Sequence, residues 1–316
     1  MSEKDISIII LTYQHVDFIE TCLENVLNQQ TTYSYEILIG EDESTDGTRE
    51  KCIQYAEKYP TKIKLFLRSR KDVIYVNGAP TGKYNFIECL KSAKGKYIAY
   101  CEGDDYWIDP FKLQKQMTFL ERHSDYTLCA TRFQKLNEET SKIHNENDTF
   151  FHKTNRYELT IENFLNPYLL STNTILFKNI INFDKIPLKG FKDVFLFALL
   201  LEKGKGIILN EFTSIYRIHK GGVWSLIEKK KKLQNNCLTA FEMHKYFKVP
   251  SITKFAYFSL KEYINLLSKS RENKKTLGIL LIKYLKVSKD FLTKKQRSQL
   301  RYRYFLFCLN KSEFYV

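Results

Sequence analysis

The sequence predicts an α/β protein in which a mostly parallel sheet flanked by helices precedes a smaller C-terminal region of α-helices. Two observations support this prediction. Apolar runs of strand length alternate with helical patterns through the first hundred residues, and residues 226–316 have a helical, amphipathic and basic pattern. With 316 residues, 43% of them hydrophobic, and only 12 glycines and 6 prolines, the chain is too apolar and too poor in turn residues to be disordered.

The first hundred residues contain four predicted strands separated by three predicted helices. The first strand, residues 6–11, is an almost continuous β-branched run, which is typical of a strand covered on both faces. The helix after it, residues 17–29, has apolar residues at helical spacing. The later elements are strands at 35–40, 63–67 and 96–101 and helices at 46–59 and 85–93. Since helices separate the strands, we expect the strands to be parallel.

Beyond these elements, residues 194–201 predict an apolar helix and residues 213–218 predict a strand. We divide the chain into a domain of residues 1–225 and a helical region of residues 226–316. Positive charge is concentrated in the second: 21 of the 50 lysines and arginines, but only 6 of the 36 acidic residues, follow residue 220. This uneven charge argues against a protein coated with nucleic acid over its whole surface.

The basic C-terminal region has two interpretations, and both can hold. It can pack on the first domain and expose a solvated lysine face, or it can dock on the anionic headgroups of a membrane. No apolar run approaches the roughly 18 to 20 residues needed to span a bilayer, and the charged residues 2–5 are unlike the start of a signal peptide. The seven cysteines are scattered without a Cys-x-x-Cys pair, as expected of reduced thiols. We therefore expect a cytoplasmic protein, either free or peripheral on the cytoplasmic face of a membrane.

Polar and acidic residues follow the predicted strands at the points where the strands end. Thr12 and Tyr13 follow the first strand, residues 41–46 follow the second, and residues 102–105 follow the fourth. The carboxyl ends of parallel strands meet at one edge of a sheet, where such folds bind ligands. Carboxylates crowded there repel one another unless a cation lies among them, so we expect a divalent cation with oxygen ligands. Residues 41–46 have a second interpretation as a cap of the following helix.

Taken together, the motifs resemble the family 2 glycosyltransferases, which have the GT-A (Rossmann-like) fold. The resemblance covers about residues 5–225, and the motifs occur in the order expected of the family. It implies transfer of a sugar from a nucleotide-diphosphate donor to an acceptor hydroxyl, with inversion at the anomeric carbon, in the synthesis of a polysaccharide, oligosaccharide or glycolipid. The motifs that carry it are residues 8–13, 41–48, 95–99, 102–107, 171–174, 192–196 and 216–225.

The resemblance also implies which residues bind the donor and the metal. Asp42 corresponds to a carboxylate that accepts a hydrogen bond from the base, which favours a uracil N–H and therefore UDP, and Tyr13 corresponds to an aromatic residue that stacks on that base. The metal, Mn²⁺ or Mg²⁺, would neutralise charge on the departing diphosphate. The implied donor contacts are Thr12, Tyr13, Asp42, Lys83, Asn85 and Asp104, and the implied metal ligands are Asp105, Asp104 and His219.

The resemblance also implies a catalytic residue. Asp193 corresponds to the general base that takes the proton from the acceptor hydroxyl. The alternative is that Asp193 only caps the apolar helix that follows it. The neighbouring Lys192 ammonium would favour the ionised form of Asp193 if the two side chains approach. Trp224 lies beyond two glycines and would form an apolar tip that closes over the site as a lid or contacts the acceptor.

The sequence is also compatible with other functions. The main alternative is a nucleic-acid-binding protein with a nuclease-like metal site and a basic tail, although no recognisable nucleic-acid motif is present. A sugar-1-phosphate nucleotidyltransferase would need a glycine- and arginine-rich loop after the first strand, which this chain does not have. A sugar-binding homologue without activity would not need the acidic residues and the histidine together.

Overall fold

A computed structural model describes residues 4–76, 78–146, 151, 155–164, 169–186, 190–222, 227–269 and 274–309. Contacts within the chain divide it into two compact units. The first consists of Met1–Thr160, Pro167–Ile186 and Leu196–Leu226. The second consists of Ile161–Asn166, Pro187–Phe195 and Ile227–Val316, so it contains two short segments that precede the C-terminal region.

The predicted α/β fold with a mostly parallel sheet is confirmed. In the described part of the first unit, ten strands form one sheet and two form a separate ribbon. The strands of the large sheet are β1 (Ile6–Thr12), β2 (Tyr35–Glu41), β3 (Ile63–Leu67), β6 (Tyr97–Glu102), β7 (Tyr106–Trp107), β8 (Tyr126–Asn137), β9 (Lys142–Asn145), β10 (Arg156–Leu159), β11 (Leu176–Lys178) and β12 (Lys205–Ile218). The ribbon is formed by β4 (Ile74–Val76) and β5 (Ala79–Thr81).

The helices described are named in chain order. They are α1 (Ile19–Leu27), α2 (Thr48–Lys58), α3 (Lys83–Ser92), α4 (Lys112–Arg122), α5 (Asp193–Lys203), α6 (Lys229–Phe247), α7 (Pro250–Leu267), α8 (Lys274–Val287) and α9 (Lys294–Cys308). The predicted elements are present with small shifts at their ends. For example, the helix expected at 17–29 begins only at Ile19, because the preceding residues form a turn in which the Phe18 N–H donates to the carbonyl of His15. The strand expected at 213–218 is the second half of the longer β12.

The order of strands in the sheet brings three strand ends to one edge. The order is β10-β12-β8-β11-β6-β1-β2-β3, and the neighbours β6, β1, β2 and β3 are parallel. Thr12 at the end of β1 pairs with Glu41 of β2, and Leu11 pairs with Glu102 of β6. The loops after β1, β2 and β6 therefore begin side by side, as expected for parallel strands.

The core of this unit lies on both faces of the parallel strands. Ile6, Ile8 and Ile10 of β1 are fully buried and pack in one cluster with the apolar face of α1. Complete burial of one such aliphatic side chain contributes about 1.5–3 kcal/mol. This packing holds the ends of the strands in place, and the loops that follow them are free to carry polar side chains.

The second unit contains the predicted C-terminal helical region, which α6 to α9 form. Its core is a cluster of aliphatic and aromatic side chains from all four helices, including Leu233, Leu260, Leu281 and Phe307. Of the helices that the structure describes, none combines the length and the apolar character needed to cross a membrane. The seven cysteines are free, and all but Cys308 are buried.

Candidate functional site

The loops after β1 and β2 are fastened to each other by hydrogen bonds. Gln14 and Glu43 both have left-handed backbone conformations, with φ of 57° and 63°. The Gln14 N–H donates to Ser44 Oγ (2.9 Å), and the Thr45 N–H donates to Gln14 Oε1 (2.7 Å). Because non-glycine residues adopt this conformation at a cost, these bonds also hold the two turns in their strained form.

Two acidic residues of the 41–46 cluster have structural roles. The buried Glu41 carboxylate accepts the Ser44 N–H (2.7 Å) and pairs with Arg49. Asp46 accepts the N–H groups of Val16 (3.0 Å) and Thr48 (3.0 Å). Asp46 therefore ties the loop after β1 to the first residue of α2, a structural role close to the cap of the alternative interpretation, although the N-cap position is Gly47.

Asp42 and Tyr13 come together at this edge, and an arginine joins them. Asp42 is only 4% exposed, and its Oδ2 accepts a hydrogen bond from Arg70 Nη1 at 3.0 Å. The Arg70 guanidinium also lies over the Tyr13 ring, 4.1 Å from its centroid. Burial raises the pKa of Asp42 above its usual value, although the Arg70 charge acts in the opposite direction. Arg70 is not among the residues predicted from the sequence, because no periodic pattern or acidic cluster marks it.

The loop after β6 approaches the loop after β1 closely because Gly103 has no side chain. A Cβ atom on Gly103 would lie 2.7 Å from Thr12 Oγ1 and 3.1 Å from His15 Nδ1. Thr12 is buried, and its Oγ1 lies 3.3 Å from His15 Nδ1. The glycine of the 102–105 cluster therefore lets the carboxylates after β6 reach the histidine after β1.

Asp104 lies between two histidines. Its Oδ2 is 3.2 Å from His219 Nε2 and 3.6 Å from His15 Nε2, whereas its Oδ1 is buried and has no hydrogen-bond partner among the described residues. Burial alone would raise the pKa of Asp104, but the hydrogen bond with His219 and the nearby imidazoles lower it below its usual value. Asp104 and His219 are thus brought together as predicted. His15 was not predicted, although its place three residues after Thr12 was a usable signal.

Asp105 is the most enclosed carboxylate of the cluster, at 1% exposed. Its Oδ2 accepts Asn173 Nδ2 (3.0 Å), and its Oδ1 accepts the Arg217 N–H (2.9 Å). Burial, together with the charges of Asp104 and Glu102, raises its pKa well above the usual value. Asp105 therefore connects Asn173, which belongs to the 171–174 motif, to β12.

The acidic cluster suits a divalent cation. Glu102, Asp104 and Asp105 each have a carboxylate oxygen within 4.8 Å of the others. The Asp104 Oδ1 atom is a buried acceptor without a donor, which a bound cation would satisfy. Carboxylate oxygens suit Mg²⁺ and Mn²⁺, and adjacent imidazoles suit Mn²⁺ better than Mg²⁺. The residues present at this edge therefore fit the predicted metal.

The two predicted donor contacts on α3 have different surroundings. Asn85 is 2% exposed, and its Nδ2 donates to the Gly40 carbonyl at 2.8 Å. A Cβ atom on Gly40 would lie 2.1 Å from Asn85 Oδ1, so the glycine makes room for this amide. Asn85 thus ties α3 to β2 instead of facing an open cleft, because its amide is used inside the fold. Lys83 is the first residue of α3 and is half-buried.

Asp193 is the first residue of α5 and belongs to the second unit. Its Oδ1 accepts the Val194 N–H at 2.8 Å. Burial raises the pKa of Asp193, outweighing this hydrogen bond and the Lys192 charge, which both lower it. The Lys192 charge therefore favours the ionised form of Asp193 as expected, but desolvation is the larger effect and the net shift of the pKa is upward. Trp224 lies outside the described residues.

Known proteins resemble this chain in sequence and in fold. A family model described as Glycosyl transferase family 2 matches residues 7–182. The uncharacterized protein Rv1520 of Mycobacterium tuberculosis (strain ATCC 25618 / H37Rv) is 30% identical over 220 residues, which are 69% of this chain and 60% of that protein. The match thus spans less than two thirds of that relative.

Solved structures resemble the whole chain. S. aureus TarS 1–349 in complex with UDP has a TM-score of 0.66 at 18% identity, covering 97% of this chain and 88% of that chain. The mannosyltransferase PcManGT from Pyrobaculum calidifontis, in complex with GDP-Man and Mn²⁺, has a TM-score of 0.56 at 14% identity, covering 98% and 84%. At these identities the likeness shows the fold.

Proposed function

This chain belongs to glycosyl transferase family 2, and we propose that it transfers the sugar of a UDP-sugar donor to an acceptor hydroxyl, with inversion at the anomeric carbon. The product in this proposal is a polysaccharide, an oligosaccharide or a glycolipid. The observation that carries this proposal is the meeting of Tyr13, Asp42 and Asp104 at one edge of the sheet, where three parallel strands end. A base-binding pair and a metal-binding carboxylate are what a nucleotide-diphosphate donor requires.

The donor nucleotide would be held by residues of the first unit. Asp42 would accept the N3–H of uracil, and the Tyr13 ring would stack on the base. Thr12, Lys83 and Asp104 are the other contacts in this proposal, whereas Asn85 contributes by fixing α3. A UDP donor is supported by the UDP complex of S. aureus TarS, which has the same fold.

A divalent cation would be held by Asp104, Asp105 and His219, with His15 beside them. When bound, the cation supplies positive charge to the diphosphate leaving group. Asp104 presents an oxygen without a donor, while both Asp105 oxygens already accept N–H groups. We therefore expect Asp104 to contribute more to cation binding than Asp105.

The general base in this proposal is Asp193. A base works best when its pKa approaches the pH of the reaction, since it must be ionised and still attract a proton. Burial raises the pKa of Asp193 toward that condition. Its role at the start of α5 is compatible with catalysis, because only one of its oxygens is used by the Val194 N–H.

A donor panel tests the proposed activity. Purified protein is incubated with UDP-, GDP- and ADP-sugars in Mn²⁺, Mg²⁺ or EDTA, and released nucleotide is measured with and without candidate acceptor glycans. We expect release from a UDP-sugar that EDTA abolishes and that Mn²⁺ restores better than Mg²⁺, because imidazoles adjoin Asp104. Turnover of GDP-sugars alone, or full turnover in EDTA, would contradict the proposal.

We further propose that the C-terminal helices dock the enzyme on the cytoplasmic face of an anionic membrane, near a lipid-linked or surface acceptor. On α8, Ile279 (52% exposed) and Ile282 (61%) lie on one helix face between the exposed Lys275 and Lys286. On α9 and at the residue that follows it, a similar exposed stripe consists of Tyr302, Phe305 and Leu309. Apolar side chains flanked by lysines match an interface that carries negative headgroups. The free cysteines suit a reducing compartment.

Vesicle sedimentation tests the docking. We expect the protein to sediment with phosphatidylglycerol vesicles at low salt, but not with phosphatidylcholine vesicles, and to be released at high salt. The double substitution Ile279→Glu and Ile282→Glu should weaken binding by at least about tenfold, since it replaces inserted apolar groups with charges that the headgroups repel. Ile143→Glu, at a similarly exposed isoleucine of the first unit, is the matched control. Equal sedimentation of all three proteins, or none at low salt, would contradict docking.

The nucleic-acid-binding alternative is set aside, because the family match accounts for the acidic cluster that a nuclease site would have explained. We expect no nucleic-acid partner.

A further inference from the structure

Arg70 occupies the two groups that the proposed function assigns to the donor base. Its Nη1 donates to Asp42 Oδ2 at 3.0 Å, and its guanidinium carbon lies 4.1 Å from the centroid of the Tyr13 ring. A guanidinium is planar, carries N–H donors at its edge and stacks on aromatic faces. In these three respects it resembles a uracil ring that stacks on Tyr13 and donates its N3–H to Asp42.

Backbone contacts fix the position of Arg70 in the chain, whereas its side chain can rotate away from Asp42 and Tyr13. Arg70 opens the short 3-10 turn Arg70–Asp72, in which its N–H donates to Glu43 Oε2 at 2.6 Å and Ser69 Oγ accepts the Lys71 N–H at 3.3 Å. The Arg70 side chain is 27% exposed, compared with 6% for Asp42. The Arg70 side chain is therefore partly open to solvent, and displacement needs rotation of one side chain and no movement of the loop.

We propose that Arg70 is an affinity-setting residue that fills the base subsite of the donor-free enzyme and must be displaced by the incoming nucleoside diphosphate. A base stacked on the same face of the Tyr13 ring cannot share that face with the guanidinium, so each binding event exchanges the Arg70 contacts for those of the base. The same exchange in reverse assists release of the nucleotide product, because Arg70 returns to Asp42 as the base leaves. This inference rests on the proposed assignment of Tyr13 and Asp42 as base contacts.

The exchange has a specific thermodynamic consequence. The donor-free enzyme is stabilised by a cation–π contact and a partly buried ion pair, both of which are lost when the base enters. Arg70→Ala removes these contacts from the free state alone. It should therefore strengthen nucleotide binding, whereas removal of a residue that directly contacts the nucleotide should weaken binding.

Calorimetric titration of the full chain with UDP tests the inference. The titration is made at pH 8, so that Asp42 is ionised in each variant despite its raised pKa, and at constant Mn²⁺. We expect Arg70→Ala to bind UDP ~3- to 10-fold more tightly than the wild type and to release it more slowly in stopped-flow displacement. Lys71→Ala is the matched control, because it removes the neighbouring positive charge from an exposed side chain. It should bind UDP equally or slightly more weakly.

Two further variants separate failure of this inference from failure of the proposed function. Tyr13→Ala and Asp42→Asn should each weaken UDP binding if they form the base subsite. If they do and Arg70→Ala fails to exceed the wild-type affinity, Arg70 does not compete with the base and the inference is overturned. If neither variant changes UDP affinity, the base binds elsewhere, and the assignment of Tyr13 and Asp42 as base contacts is wrong.

Discussion

Asp104→Asn should lower sugar transfer by about 100- to 1000-fold and weaken Mn²⁺ binding by more than about tenfold. The asparagine oxygen can still accept the hydrogen bond of His219, so the loop keeps its shape. The substitution removes the negative charge and turns one cation-binding oxygen into an N–H₂ donor that repels a metal. The measurements are nucleotide release from a UDP-sugar and the Mn²⁺ electron paramagnetic resonance signal of the free ion.

Two control variants make this result specific. Asp125→Asn removes an exposed carboxylate of the same unit and should leave both measurements unchanged. Asp105→Asn should have the smaller effect on Mn²⁺ binding, since the pKa of Asp105 is raised and both its oxygens already accept N–H groups. If Asp104→Asn retained wild-type turnover and Mn²⁺ affinity, the cation would not bind at this cluster.

Asp193→Asn should slow transfer to the acceptor by about 100- to 10,000-fold while UDP affinity stays within a factor of two, the range expected for loss of a general base. The substitution preserves the size of the side chain and an oxygen that can accept the Val194 N–H. Transfer is measured with a saturating UDP-sugar and acceptor, and binding is measured by titration with UDP. Wild-type turnover in this variant would assign proton removal to another group.

The pH profile and the stability of this variant distinguish catalysis from folding. The base must be ionised, and burial raises the pKa of Asp193, so wild-type turnover should fall with decreasing pH at values above the usual range for aspartate. A carboxyl whose pKa is raised in the folded state destabilises the fold once the pH exceeds its unfolded pKa. Asp193→Asn should therefore show no loss of folding stability at pH 8. Asp184→Asn, at an exposed carboxylate, is the control for both measurements.

The alternation of strands and helices was predictable, because the spacing of apolar residues along the chain shows which side chains are buried. A continuous β-branched run such as Ile6–Thr12 can be stable only when both faces are covered, and the helices between such runs then force parallel strands. Parallel strands end at one edge, so the positions of Asp42 and Asp104 followed from the order of elements alone. The shifts at helix ends arose where turns such as that at His15 use the first residues of an expected helix.

Contacts between distant segments could not be predicted from the sequence, because the direction of a side chain depends on tertiary packing, which local spacing does not show. The pattern could not separate Asp42, which pairs with Arg70, from Glu41, which pairs with Arg49. The family resemblance implied that Asn85 contacts the donor, although that amide fills the space left by Gly40.

Acidic residues at the strand ends indicated a cation-binding site, because crowded carboxylates repel one another anywhere in a fold. The sequence could not show that Asp104 is the carboxylate with an unsatisfied oxygen, or that Arg70 lies over the Tyr13 ring. Both facts depend on contacts between segments that only folding brings together. Burial also decides the net pKa shift of Asp193, of which the sequence showed only the contribution of the neighbouring lysine. Desolvation of Asp193 outweighs the adjacent lysine, because removing a carboxylate from water costs more than one partly screened charge returns.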